Sequence, residues 1–200
     1  MNYLVKQLSS RHQNAIIAHY LNMDREGIYL RFGTYPSTET IEKYVRQTDF
    51  TRDGVLGVID TDLRLLGVAH VAIIQQNAEI GFSVLPEAQG KGMGQALLEH
   101  AVRYAKNRGV ENIIMYCLPQ NNIVKHLAQK HGLAIRQEQG ETSANLSAPP
   151  GNFFTLIEER YNETLAAQDE IHKHYLEGAK KMLLSWTHHD KKNEQTEVHP

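Results

Sequence analysis

Apolar positions along the chain switch between a two-residue and a three-to-four-residue period, and the switches mark out a series of strands and helices. Residues 3–8 read as a strand. Ser9 or Ser10 is placed to cap a helix carrying Ala15, Ile16, Ile17, Tyr20 and Leu21, and residues 38–46 read as a second helix. Residues 55–60 and 65–74 are two strands joined through Thr61 and Asp62, the pattern of an antiparallel hairpin. A strand over 79–85, a helix over 95–106, a strand over 112–118, a helix ending near His131 and Gly132, and strands over 134–139 and 142–146 complete the series. The order predicts an α/β (α+β) layered fold, a mixed sheet with helices on both faces.

Residues 148–152, Ala-Pro-Pro-Gly-Asn, break the pattern and end the domain, which spans 1–150. Beyond them, 151–184 reads as an extension built on one long helix. Phe154, Ile157, Tyr161, Leu165, Ile171, Tyr175 and Met182 make its apolar stripe. Such a stripe must be covered. Packing back on the same domain is the first expectation; pairing with the same helix of a second copy, a homodimer, is the alternative. Residues 185–200 are polar and charged, and are expected to be disordered.

Length and charge narrow the class. Two hundred residues suit one domain with a real core plus an appendage. A net charge of -2, with both signs interspersed, gives no footprint for nucleic acid or an anionic membrane. No apolar run approaches the roughly 18 residues that span a bilayer, and the N-terminus lacks a signal-peptide core, so a cytoplasmic, soluble chain is expected. The single cysteine, Cys117, excludes an internal disulfide and reads as a buried, inert thiol in an apolar strand. Eleven histidines do not make a metal site: His172 and His174, two apart on a helix, face different directions, and no second cysteine completes a zinc set. No Gly-x-Ser-x-Gly element marks a serine hydrolase.

The most informative stretch is residues 78–98, which run as strand, turn, glycine loop and helix. Gly90, Gly92 and Gly94 let an anion approach the backbone where a helix begins with unpaired N–H groups and the positive end of its dipole. A diphosphate-bearing ligand fits such a place. Lys91 is followed by Gly92 rather than Ser or Thr, against a P-loop, and the glycine spacing does not match the dinucleotide fingerprint.

This run resembles the pyrophosphate loop of GNAT-type N-acetyltransferases, Gln/Arg-x-x-Gly-x-Gly/Ala, with Gln89, Gly92 and Gly94 in register. The resemblance continues through Asn121 and the closing Lys130-His131-Gly132-Leu133, and covers roughly 55–147, more weakly from residue 3. It implies a GNAT-like, mostly antiparallel central sheet and acetyl-CoA (coenzyme A) held as co-substrate in a V-shaped opening between the fourth and fifth strands. On this resemblance the backbone of Phe82, Ser83 and Val84 pairs with the pantetheine arm. The amides of Gln89, Gly90, Lys91, Gly92, Met93 and Gly94 hold the pyrophosphate, and Asn121 contacts the cofactor. Strand alternation puts Glu79, Gly81 and Ser83 on one face and Ile80, Phe82 and Val84 on the other. Gly81 is read as space for cofactor or acceptor, and Lys91 as either a point charge for phosphate or a solvated lysine.

The implied reaction is attack of a primary amine, from a small molecule or a protein lysine, on the thioester. A lysine-like amine of pKa about 10.4 costs about 4 to 5 kcal/mol to deprotonate at pH 7, so a general base is valuable. Glu79 lies where several members of the family place one. The thiol leaving group, of pKa near 8.5, makes a general acid helpful rather than obligatory. Many members supply a tyrosine for it, but the register from Asn121 puts Ala128 there, leaving Tyr116, His126 or water. Residues 24–33 are similar to the start of the domain in bacterial protein-lysine acetyltransferases; Tyr29, Arg31 and Phe32 are then acceptor-wall residues, or else Phe32 is core and Arg31 a structural ion-pair partner. The reading that competes with the enzyme is a catalytically weak acyl-CoA-binding or regulatory module that associates through its long helix.

Overall fold

The computed structural model describes residues 3–138, 141–147, 151 and 153–194. The chain runs β1 (Lys6–Gln7), a 3-10 turn, α1 (Gln13–Leu21), α2 (Arg25–Phe32), α3 (Thr38–Gln47), β2 (Gly54–Ile59), β3 (Leu65–Ile74) and β4 (Asn77–Val84). It continues with α4 (Met93–Asn107), β5 (Asn112–Cys117), α5 (Asn122–Lys130), β6 (Ala134–Glu138), β7 (Glu141–Ser147) and α6 (Phe153–Glu194). The seven strands form one sheet in the order β1-β2-β3-β4-β5-β7-β6, antiparallel throughout except between β4 and β5.

The hairpin expected at Thr61 and Asp62 is present. Asp60 Oδ1 accepts from the N–H groups of Asp62 and Arg64, turning the chain. β1 is shorter than the expected strand, because only Lys6 and Gln7 pair with β2 at the sheet edge. The apolar pattern gives no helix over 25–32, yet one forms: Asp24 caps the Gly27 N–H at 2.8 Å, and Gly33 closes the helix at φ +69. End signals that short carry the element without an amphipathic stripe.

Strand alternation divides the interior. Leu56, Val58, Ala69, Val71, Ala78 and Ile80 meet Leu97, Leu98 and Ala101 of α4 on one face. Val55 and Val68 meet Ile16, Tyr20, Ile41 and Val45 of α1 and α3 on the other. β4 therefore carries α4 on its Ile80-Phe82-Val84 side and α1 and α2 on its Glu79-Gly81-Ser83 side, the division expected from its sequence.

α6 packs back on the domain, but not by its apolar stripe. Its inner line is polar: Glu158 pairs with Arg103 at 2.6 Å, Glu159 with Arg108 at 2.7 Å, and Glu170 with Lys6 and His12. Lys173 donates to the Ile59 carbonyl at 2.7 Å, and Ala166 is the buried contact among them. The basic outer surface of α4 and β1 thus selects the acidic face of α6, leaving Phe154, Ile157, Tyr161, Ile171, Tyr175 and Met182 exposed. The helix passes its expected end at Leu184 and continues to Glu194; residues 195–200 of the expected tail, and 148–150 and 152 of the expected break, lie outside the described residues. Among the described residues no helix is long and apolar enough to cross a membrane.

Candidate active site

β4 and β5 pair only at Asn77↔Asn112, Ala78↔Ile113 and Glu79↔Ile114, and beyond Glu79 they separate. A cleft of about 1040 Å3 opens in the gap, with Glu79 at its vertex. It is lined by β4 from Glu79 to Val84, by β5 and the turn after it, by the loop before α4, and by residues of α2 and α5.

The polar equipment of the gap follows from strand phase. The Leu85 N–H donates to the Leu66 carbonyl, so residues 81, 83 and 85 spend their backbone groups on β3. Residues 80, 82 and 84 therefore turn theirs to the gap. Gln89 Nε2 donates to the Val84 carbonyl at 3.0 Å, which ties the loop to the strand end. Phe82 and Val84 thus turn their backbone groups to the gap, whereas Ser83 turns its own to β3. The Ser83 side chain lies on the opposite sheet face against His19: His19 Nδ1–H donates to the Leu65 carbonyl and Nε2 accepts from Ser83 Oγ, each at 2.8 Å. Burial, aided by the charge on Arg31, pulls the His19 pKa down to about 4.

At the far end of the gap, the loop before α4 reaches the positive φ of Gly90 (+71) and Gly92 (+84), the second being the helix N-cap. Among the described residues no side chain caps this helix. The Gly92 carbonyl accepts from Ala96, leaving the N–H groups of Met93, Gly94 and Gln95 without intrahelical partners at the mouth of a 15-residue dipole. Gly94 lets this end approach β4: a Cβ there would stand 3.3 Å from Phe82 Cε2. The buried Met93 side chain anchors the helix start below β3. The Lys91 side chain turns back along the loop. Its Nζ donates back to the Glu87 carbonyl at 2.7 Å, and it is not a lining residue. Asn121 lines the cleft while its Oδ1 caps α5 through the Val124 N–H at 3.1 Å, the role of a turn residue.

Of the candidate acids, Tyr116 lines the cleft and is 59 % exposed, whereas His126 does not line it, and Ala128 is fully buried. Cys117 is a buried lining thiol whose pKa burial raises. On the α2 wall, Arg31 and Phe32 line the cleft, and Tyr29 stacks on Tyr35 instead. The space at Gly81 is not open: a Cβ there would lie 2.7 Å from Arg31 Cζ, because the guanidinium rests on that part of β4. Sequence reasoning missed what holds Arg31. Its Nη2 donates to Tyr44 Oη at 3.0 Å, Tyr44 Oη lies 2.7 Å from His70 Nδ1, and His70 Nε2 lies 3.3 Å from Asp53. These residues come from α2, α3, β3 and the turn before β2, and share no local signal. Among the described residues no cluster of three or more His, Cys, Asp or Glu is placed to hold a metal ion.

A splayed parallel strand pair that opens onto an uncapped helix N-terminus defines a site for a long ligand with an anionic end. Comparisons with known proteins agree with that class. A family model described as Acetyltransferase (GNAT) family matches residues 24–133, and the chain belongs to this family. A curated relative, Acetyltransferase Pat of Mycolicibacterium smegmatis, is 25% identical over 134 residues, 62% of this chain; the chain spans only 39% of that relative's length. Among solved structures, the GNAT domain of S. lividans PAT superposes with a TM-score of 0.63 at 21% identity, covering 72% of this chain and 89% of that one. PaiA N-acetyltransferase from Thermoplasma acidophilum, in complex with coenzyme A, gives 0.56 at 21% identity over 74% and 100%. A phosphinothricin acetyltransferase from Sinorhizobium meliloti, in complex with AcCoA, gives 0.61 at 18% identity over 76% and 90%.

Proposed function

We propose that this chain transfers an acetyl group from acetyl-CoA to a primary amine by direct attack in a ternary complex. The observation that carries the reading is the continuity of the cleft: from Glu79 at the vertex, along the edge of Phe82 and Val84 that no strand pairs with, to the free amides of Met93, Gly94 and Gln95. These groups fit coenzyme A in kind. Amide N–H groups at a helix start suit a pyrophosphate, and an unpaired strand edge suits an amide-bearing arm. When bound, acetyl-CoA supplies the acyl group as a thioester.

The chain's own residues do the rest. Gly90 and Gly92, with Gln89 bracing the loop to Val84, hold the phosphate end, and Asn121 shapes the β5 side. Glu79 is the base that takes the proton from the incoming ammonium, directly or through one water, at the closed end of the cleft. Tyr116 borders the same cleft and is the residue available to give a proton to the departing sulfur. Ala128 leaves no acid on α5 at its position.

Thiol release from acetyl-CoA, measured over a set of amines, tests the reading. Glu79→Gln is expected to lower kcat by about 100-fold or more and to flatten the acid limb of the pH–rate profile, with acetyl-CoA affinity within about twofold. Unchanged turnover across pH would remove Glu79 as the base. Tight binding with no turnover for any amine would make the chain an acyl-CoA-binding module.

A further inference from the structure

Among the described residues, Arg31 is the one cation of the cleft wall, and it is built in without a counter-ion. Its guanidinium lies over Gly81 and against the Phe32 ring, 4.9 Å from that centroid. Any side chain at 81 would displace it. Arg31 Nε is buried with no hydrogen-bond acceptor, and among the described residues no carboxylate pairs with the side chain. A buried guanidinium in that state is expensive unless a ligand completes it.

The surrounding network orients the cation without neutralising it. His70 is kept neutral by burial, so its Nε2–H donates to Asp53 and its Nδ1 accepts the Tyr44 hydroxyl proton. Tyr44 Oη is thereby left to accept from Arg31 Nη2. The negative charge of Asp53 is engaged by Arg52 at 2.8 Å, at the other end of the chain of bonds. The arrangement fixes the guanidinium in the cleft wall, with the Tyr20 and Tyr44 hydroxyls as neutral partners, and supplies no anion to it.

We infer that Arg31 selects the acceptor by binding its carboxylate, so that the substrate class is a small amine bearing a carboxylate a few bonds away, an amino acid or close analogue. This rests on the acetyl-transfer reading and deepens it. Glu79 and Gly81 are alternate residues on one face of β4, about 6.6 Å apart along the strand. An amine at Glu79 and a carboxylate at Arg31 span that step within one compact zwitterion. A peptide lysine brings its amine on an uncharged stem and has nothing to give the guanidinium.

The test compares each of the common amino acids with its own amide as acceptor, alongside an N-acetylated, C-amidated lysine peptide, with thiol release as readout. Because the amide's amine is the less basic, a preference for the acid reports recognition of charge. At least one amino acid is expected to exceed its amide by about 10- to 100-fold in kcat/KM. Arg31→Gln is expected to abolish that preference and Arg31→Lys to keep only part of it. Equal use of acid and amide, or a better rate with the peptide, would overturn the inference while leaving acetyl transfer intact; no thiol release from any acceptor would overturn both.

Discussion

His19 ties α1 to the sheet through two hydrogen bonds, one to the Leu65 carbonyl at the start of β3 and one to Ser83 of β4, and it does so as a neutral imidazole. Its pKa, about 4 in the folded state, stands below the unfolded value near 6.5, chiefly because burial disfavours the cation. Its stabilisation is therefore complete above about pH 6.5 and is lost as pH falls toward 4, since the unfolded chain takes up the proton first. Each pH unit in that window costs about 1.4 kcal/mol, and His100, also near 4 through burial, adds loss of the same sign. His19→Gln is expected to lower stability at pH 7 by about 1 to 3 kcal/mol. It should also shrink the fall in stability between pH 7 and pH 5 by about 2 kcal/mol, measured by urea unfolding at both values. An unaltered fall would show that another group carries the linkage. None of this was legible in the sequence: His19 and Ser83 stand 64 positions apart, as do Tyr44 and His70 by 26, and only the fold makes them neighbours. The placement of Glu79 and Gln89 in the cleft wall was legible because their surroundings, a strand and a glycine loop, are local.

At the scale of elements, the clearest case is the start of α4, where three glycines in five residues serve different needs. Gly92 supplies a left-handed φ with nothing within 4 Å of an added Cβ, whereas Gly94 supplies closeness to Phe82. Charge and strain can thus be separated at Gly92. Gly92→Ala is expected to cost about 1 to 2 kcal/mol in stability through the left-handed backbone alone. Gly92→Asp places a carboxylate where the free amides gather and should weaken acetyl-CoA binding at least about tenfold beyond Gly92→Ala, read by calorimetry with circular dichroism as the folding control. Equal losses in the two variants would mean that charge at this point does not matter. The hairpin, the glycine loop and α4 could be read from the chain because period and turn chemistry agree there. α2 could not, since a capping Asp24 and a terminal Gly33 outweigh a sequence with no apolar stripe. The inner face of α6 escaped for another reason: its partners, Arg103, Arg108 and Lys6, lie on surfaces that a single helix period does not report.

The whole molecule separates the site from its long appendage. The cleft lies between β4 and β5 and the N-terminal end of α4, whereas α6 crosses the C-terminal part of α4, at Arg103, Asn107 and Arg108, and the edge made by β1 and β2. Among the described residues, none of α6 lines the cleft. A chain ended after residue 152 should therefore keep acetyl-CoA affinity within about twofold. It should lose stability, because the Arg103, Arg108 and Lys6 pairs vanish together with the cover over Ala166's contact surface. Partly exposed ion pairs contribute about 0.2 to 1 kcal/mol each, so with the lost packing the deficit comes to about 2 to 4 kcal/mol, or a Tm lower by roughly 5 to 15 °C. Raising salt separates the two contributions, since screening weakens the pairs in the full chain and leaves the truncated one without them. The gap in Tm between the two chains should narrow from low to high ionic strength. A gap that does not narrow would place the stabilisation in apolar contact. A truncated chain that stays folded but loses acetyl-CoA would show that α6 acts on the cleft through α4 rather than bracing the domain alone.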